Sequence, residues 1–195
     1  MPASTRSIGD NAFSYCMNLS ELQIQNGVTN IGSYAFYQCR GLESIVIPES
    51  VAAMGSCMLA DCRNLRQITI PFVGSEVGNT GTNSALLGWI FEPGYGANSG
   101  RYVARQYFNS TQYGEYLIPE TLTDVKITKE AVLGTGALMG CRGLLNVEIP
   151  KSVTNIGERA FSGCSGLTCV KIPHGVTGIG DAAFSNCTRV STSRV

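Results

Sequence analysis

One pattern recurs through most of this 195-residue chain. Ile8-Gly9-x-x-Ala12-Phe13-x-x-Cys16-x-x-Leu19-x-x-Leu22-x-Ile24 returns 23 residues later as Ile31-Gly32-x-x-Ala35-Phe36-x-x-Cys39-x-x-Leu42-x-x-Ile45-x-Ile47-Pro48. Met54 and Cys62 hold the same phase in a third copy. After an interruption, Leu133, Ile156 and Ile179 resume it, with Cys141, Cys164 and Cys187. A unit this short cannot enclose its own apolar face, so successive copies must stack and bury it between them. The sequence therefore predicts a β-rich solenoid of 23-residue coils over residues 1–195. The repeats read as 8–30, 31–53, 54–76, an irregular coil with an insertion at 77–132, then 133–155, 156–178 and 179–195.

Within a repeat the tail alternates, as in Leu42-x-x-Ile45-x-Ile47 and Leu167-x-x-Val170-x-Ile172. Side chains on a strand alternate faces, so Ile45 and Ile47 point inward while Ser44 and Val46 point out. Stacking places these strands about 4.8 Å apart in a parallel sheet. Pro48, Pro71, Pro150 and Pro173 end each strand, because proline has no N–H for the next ladder bond. Val51, Val153 and Val176 re-enter the core, and a second extended piece ends at Ile-Gly. Ala-Phe then reads as one brief helical turn on the outer side. Helix content is expected to be low, since no segment has the length an amphipathic helix needs. In the third copy Met58-Leu59 stands in for Ala-Phe and Cys57 is an additional thiol.

Composition narrows the functional classes. Charged residues make up 14% and glycine numbers 23, which fits closely stacked turns. Lys plus Arg (14) equals Asp plus Glu (14), so no net field draws the chain to nucleic acid or an acidic membrane. No stretch approaches the roughly 18 apolar residues of a membrane span. Met1 to Arg6 lacks the apolar core of a secretory signal. The expectation is a fragment of a longer surface or secreted protein, with intracellular residence as the alternative.

The interruption from Val77 to Val132 holds 56 residues, 33 more than one coil, and no cysteine. Ala85-Leu86-Leu87-Gly88-Trp89-Ile90-Phe91 resembles an enlarged Ala-Phe turn. Residues 101–108 and 114–119 are expected to pair as a β-hairpin across 109–113. Five of the eight tyrosines lie here: Tyr95, Tyr102, Tyr107, Tyr113 and Tyr116. Leu122-x-x-Val125-x-Ile127 resumes the strand. At the C-terminal end, Val190, Ser193 and Val195 align with Leu167, Val170 and Ile172, so a polar residue enters an inward slot.

The string Ile-Gly-x-x-Ala-Phe-x-x-Cys-x-x-Leu-x-x-Ile-x-Ile-Pro at this period resembles the BspA-like leucine-rich repeats, over roughly residues 8–75 and 117–195. The resemblance implies a right-handed leucine-rich-repeat coil and a bacterial cell-surface or secreted protein, in a class where some members are adhesins. It carries over no catalytic or ligand-binding residue.

Cys16, Cys39, Cys62, Cys141, Cys164 and Cys187 occur one per coil at equal phase, so their Cβ vectors run parallel, which disfavours disulfides. With no Cys-x-x-Cys and one histidine, His174, in a turn slot, the reading is a buried thiol ladder beside a phenylalanine column of Phe13, Phe36, Phe161 and Phe184. Cys169 faces outward. No catalytic motif, metal site or cofactor site is read. Two surfaces remain as ligand candidates. One is the outward strand face, with Gln23, Gln67, Lys126, Glu148 and Lys171. The other is the insertion, with Tyr95, Arg101, Tyr102, Arg105, Tyr107 and Tyr113, because rigid aromatics give contact area at low entropy cost. The insertion's plain alternative is that these rings pack down over the coil. A non-catalytic module binding a protein or glycan ligand is expected, as a monomer. The alternative is a structural spacer whose terminal coils associate end to end.

Overall fold

A computed structural model of the chain describes residues 1–94 and 102–194. About seven narrow coils stack, with almost no helix. Before the interruption come β1 (Ser7–Ile8), β2 (Asn30–Ile31), β3 (Ser44–Val46), β4 (Ala53–Met54) and β5 (Gln67–Ile70). The interruption contributes β6 (Glu92–Pro93), β7 (Ala104–Tyr107) and β8 (Tyr113–Leu117). The stack resumes with β9 (Asp124–Ile127), β10 (Val132–Leu133), β11 (Asn146–Glu148) and β12 (Asn155–Ile156). It ends with β13 (Cys169–Ile172), β14 (Gly178–Ile179) and β15 (Ser191–Arg194).

The main wall is a six-stranded parallel sheet in the order β3-β5-β9-β11-β13-β15. Ile45 pairs with Ile68, Ile68 with Val125, Val125 with Val147, and Val147 with Val170. All five are buried, so like residues form a column, as the alternation requires. The step is not constant. Val125 meets Val147 and Val170 meets Thr192, each 22 residues on instead of 23. The second slip corrects the sequence alignment, which put Ser193 opposite Val170. Val190 keeps the regular turn bond to Cys187, so the missing residue falls between Val190 and the strand.

The second wall is divided. One ribbon joins β1, β2 and β4, another joins β10, β12 and β14, and the insertion separates them. At the break Met54 N–H donates to Ser75, and Ala53 bridges Glu76 antiparallel. Glu130, only 2% exposed, accepts from the N–H groups of Gly78 and Ala131 at 3.0 Å each. Its carboxylate thus ties the two sides of the gap.

The outer turns refine the expected helical turn. Two residues per coil take positive φ: Asn11 and Tyr15, Tyr34 and Gln38, Cys57 and Asp61, with Gly136, Gly140 and Gly163 in the same columns later. This alternation turns every second N–H toward the next coil. Phe13 donates to Ala35 at 2.8 Å, Phe36 to Met58 at 2.9 Å and Phe161 to Ala183 at 2.8 Å. The turns themselves therefore form an inter-coil ladder. Phe13 stacks on Phe36 with centroids 5.7 Å apart, and Phe161 on Phe184 at 5.0 Å. Phe36 and Phe161 are fully buried; Phe13 and Phe184 are partly buried.

In the interruption, two 3-10 turns, Asn83–Ala85 and Leu87–Ile90, fill the outer-turn slot of the fourth coil. Cys57 and Leu59 donate to Trp89 and Ile90, and Leu87 donates onward to Ala137. The expected hairpin forms from β7 and β8, with Arg105 opposite Glu115 and Tyr107 opposite Tyr113. β6 joins its other edge, a third strand that no sequence signal marked.

Candidate binding site

The core columns leave little chemistry inside. Cys39, Cys62, Cys141, Cys164 and Cys187 are buried. Burial pushes the Cys39 thiol up to about 11 and those of Cys62 and Cys164 up to about 12, well away from the reactive thiolate form. Cys16 is the correction to the ladder: it is exposed, and among the described residues none takes over it the place that Phe13 takes over Cys39. Cys169 is half-exposed on the strand face, and His174 is exposed in its turn.

On the strand face Gln23, Gln67, Lys126, Glu148 and Lys171 are all exposed. Lys126 Nζ lies 2.8 Å from Glu148 Oε2 across β9 and β11, and Asn146 donates to Asp124 at 2.9 Å. Val46, 58% exposed, stands between the Gln23 and Thr69 positions. Two shallow grooves lie on this face. One, of about 610 Å³, is lined by Gln23, Ser44, Val46, Glu49 and Thr69. The other, of about 650 Å³, is lined by Asp124, Glu148, Lys151, Lys171 and His174.

Of the insertion candidates, Tyr95 and Arg101 lie outside the described residues. Tyr102 is half-buried, with the Arg142 guanidinium 3.9 Å above its ring. Tyr107 and Tyr113 stand 5.1 Å apart, Arg105 lies 4.4 Å over Tyr113, and its Nη2 meets Glu115 at 2.8 Å. Arg159 reaches to 5.7 Å from Tyr107. These rings are shared between packing and surface: Tyr113 remains 41% exposed, whereas Tyr116 is only 7% exposed. A Cβ on Gly88 would lie 2.1 Å from the Tyr116 ring, so only glycine fits there.

The residue that seats the hairpin was missed in the sequence. Gln106, fully buried, accepts from Gly88 N–H at 2.8 Å and donates to the Met139 carbonyl at 2.9 Å. Its amide also lies 3.6 Å from Cys141 Sγ, occupying the place where the cysteine column is interrupted. A polar residue between two strand-like tyrosines gives no signal of burial. Also missed was an aromatic edge-to-face group on the first outer turns, Tyr15 with Tyr37 at 5.2 Å and Tyr34 with Tyr37 at 5.8 Å. Sequence counting drew the eye to the insertion instead.

The seated hairpin overhangs the outer turns of the following coils. An open cleft of about 670 Å³ lies beneath, lined by Tyr102, Arg105, Glu115, Arg142, Ser162 and Asn186 among others.

The model of the BspA type leucine-rich repeat region matches residues 1–83 and 102–195, in six copies. The chain belongs to this family. Among solved structures the BspA-type array is similar to a leucine-rich repeat protein from Eubacterium ventriosum, with 25% identity and a TM-score of 0.58 over 95% of this chain and 41% of that one. It is also similar to a leucine-rich repeat protein of T. pallidum (22% identity, TM-score 0.43, covering 97% of this chain and 63% of that one). A third is a leucine-rich cell surface protein of Faecalibacterium prausnitzii (23% identity, TM-score 0.38, covering 98% and 70%). No curated protein matches. The BspA-type chain spans about two fifths of the E. ventriosum protein's length. The described residues contain no helix long and apolar enough to cross a membrane.

Outside the two candidate surfaces the BspA-type stack holds a charge cluster. Asp61, 5% exposed and at φ 57°, pairs with Arg40 at 2.7 Å and with Arg63. Burial pushes its carboxyl up, but the hydrogen bonds and charges of Arg63 and Arg40 outweigh burial and hold it below the usual range. Asp10 plays a simpler part, accepting from Ser33 N–H of the next coil at 2.7 Å.

Proposed function

We propose that this array is a non-catalytic recognition module, exposed at a bacterial surface, which holds a protein or glycan ligand on its strand face and hairpin. The observation that carries this reading is the division of labour across the six-stranded wall. Its inward residues and main chain complete the stack, while Gln23 and Lys171 project outward beside open grooves and Gln67 stands exposed between them. Membership in the BspA-type repeat family supports it. Capture of bacterial or host cell surfaces by the immobilised chain tests it. Gln67→Ala with Lys171→Glu, or Tyr107→Ser with Tyr113→Ser, should weaken capture at least tenfold without shifting the thermal midpoint. Concentration-dependent association with no capture would instead indicate a spacer.

A further inference from the structure

We propose that the cleft beneath the hairpin binds a carboxylate-bearing saccharide, with Arg142 pairing the carboxylate. This rests on the recognition reading above and names a ligand class for one of its surfaces.

The cleft exists because a side-chain column stops. The second positive-φ slot of each outer turn carries Tyr15, Gln38 and Asp61 in the first three coils, and Asn186 in the last. In the fifth and sixth coils it is Gly140 and Gly163. A Cβ on Gly140 would make ordinary contact with the Tyr102 hydroxyl at 3.4 Å and the Ala104 Cβ at 3.5 Å. A Cβ on Gly163 would meet only the Gly140 backbone, no closer than 3.7 Å, and nothing else of the protein lies within reach. Gly163 answers to its left-handed φ of 76° and to no packing contact, and the floor there is open.

One charged side chain facing this space is left without an ion-pair partner. Ser162 lines the floor beside Gly163, with its hydroxyl turned to the cleft opening rather than sealed in the core. Arg142 is exposed and stacked on Tyr102, with no carboxylate in ion-pair range among the described residues. Arg105, by contrast, is already paired with Glu115. Stacking fixes the guanidinium plane, and the N–H groups not turned to the Tyr102 hydroxyl remain for a planar acceptor, which a carboxylate supplies. The rest of the lining includes Ser165, Asn186 and Thr188, hydroxyls and an amide that match sugar hydroxyls. The volume suits a short oligosaccharide. Two arginines against one glutamate disfavour cationic ligands.

The test uses the intact chain with 3′-sialyllactose, a glucuronate-terminated trisaccharide, lactose and a glutamate-rich peptide as probes, read by calorimetry. The acidic sugars should bind at least tenfold more tightly than lactose. Arg142→Gln should erase that difference. Gly163→Asn copies Asn186 in the same left-handed region, φ 76° against 59°, so it should fill the floor and abolish binding while the array stays folded. Equal affinity for lactose, binding of the peptide alone, or indifference to both substitutions would overturn the proposal. If no sugar binds while cell surfaces are still captured through Gln67 and Lys171, the cleft inference falls and the recognition reading stands. If neither occurs, both fall.

Discussion

Cys164 Sγ donates to the carbonyl of Leu138, 26 residues back in the preceding coil, at 3.2 Å. The relationship repeats from Cys39 to Phe13, Cys62 to Phe36 and Cys187 to Phe161. Each thiol is small enough for the packed stack and still supplies a weak donor to a main-chain oxygen of the coil beside it.

Native thiol labelling follows from this placement. Cys16 should react first and Cys169 next, while Cys39, Cys62, Cys141, Cys164 and Cys187 should react only after denaturation. Peptide mass mapping checks the order; rapid native modification of Cys62 or Cys164 would contradict the described burial.

The same thiols set an alkaline limit. Their folded pKa values lie above the unfolded value near 9, so their contribution is complete below pH 9. Between about pH 9 and pH 12 the unfolded chain loses protons that the folded chain keeps, and stability falls. Thermal melts across this range should show the decline, and Cys62→Ala with Cys164→Ala should reduce its slope.

Asp61 sets the opposite limit. Its folded pKa is lowered, so its contribution is present above the ordinary carboxylate range and is lost as the pH falls through the folded value. Asp61→Asn should lower stability by about 2 kcal/mol at neutral pH, with the partial exposure of Arg40 and Arg63 keeping the loss modest. Urea melts at neutral and acid pH should show the difference between the two proteins shrinking on acidification.

Gln106→Ala should detach the hairpin more than it melts the stack. It leaves the buried Gly88 N–H and Met139 carbonyl without partners, a loss of roughly 2–4 kcal/mol localised to the insertion. Hydrogen exchange should accelerate across β7 and β8 and stay slow in β11 and β13; uniform acceleration would mean that Gln106 supports the whole array.

Phe36→Ala should cost about 3–5 kcal/mol, because the ring is fully buried between coils. Phe13→Ala should cost less than half as much, since its outer side has no covering coil. Chemical denaturation of both variants decides this.

Much of this was legible because identical residues recur at identical phase. Ile45, Ile68, Val147 and Val170 announce their strands, and the ladder of Phe36 and Phe161 follows from one period. The outer turn was harder to read. Its alternation of left-handed residues involves Asn11, Tyr34, Cys57 and Arg159, which share no side-chain property. Their conformation is set by hydrogen bonds to the next coil, which no single repeat contains. The cleft was invisible for a related reason. It depends on two glycines lying under a hairpin folded from another part of the chain, and Gly163 looks like any other turn glycine in sequence. Arg142 likewise gains its meaning only from Tyr102, 40 residues earlier.

The divided second wall gives the molecule one compliant direction. The two halves are fastened along the main sheet and along the outer turns, but on the third side, among the described residues, by a few bonds: the clasp of Glu130, the Ala53–Glu76 bridge and the Met54–Ser75 bond beside it. Bending that spreads this side breaks the fewest bonds, so strain applied to the array concentrates there. The hairpin sits on the outer turns next to that seam, where a small opening would change the width of the cleft before any coil came apart.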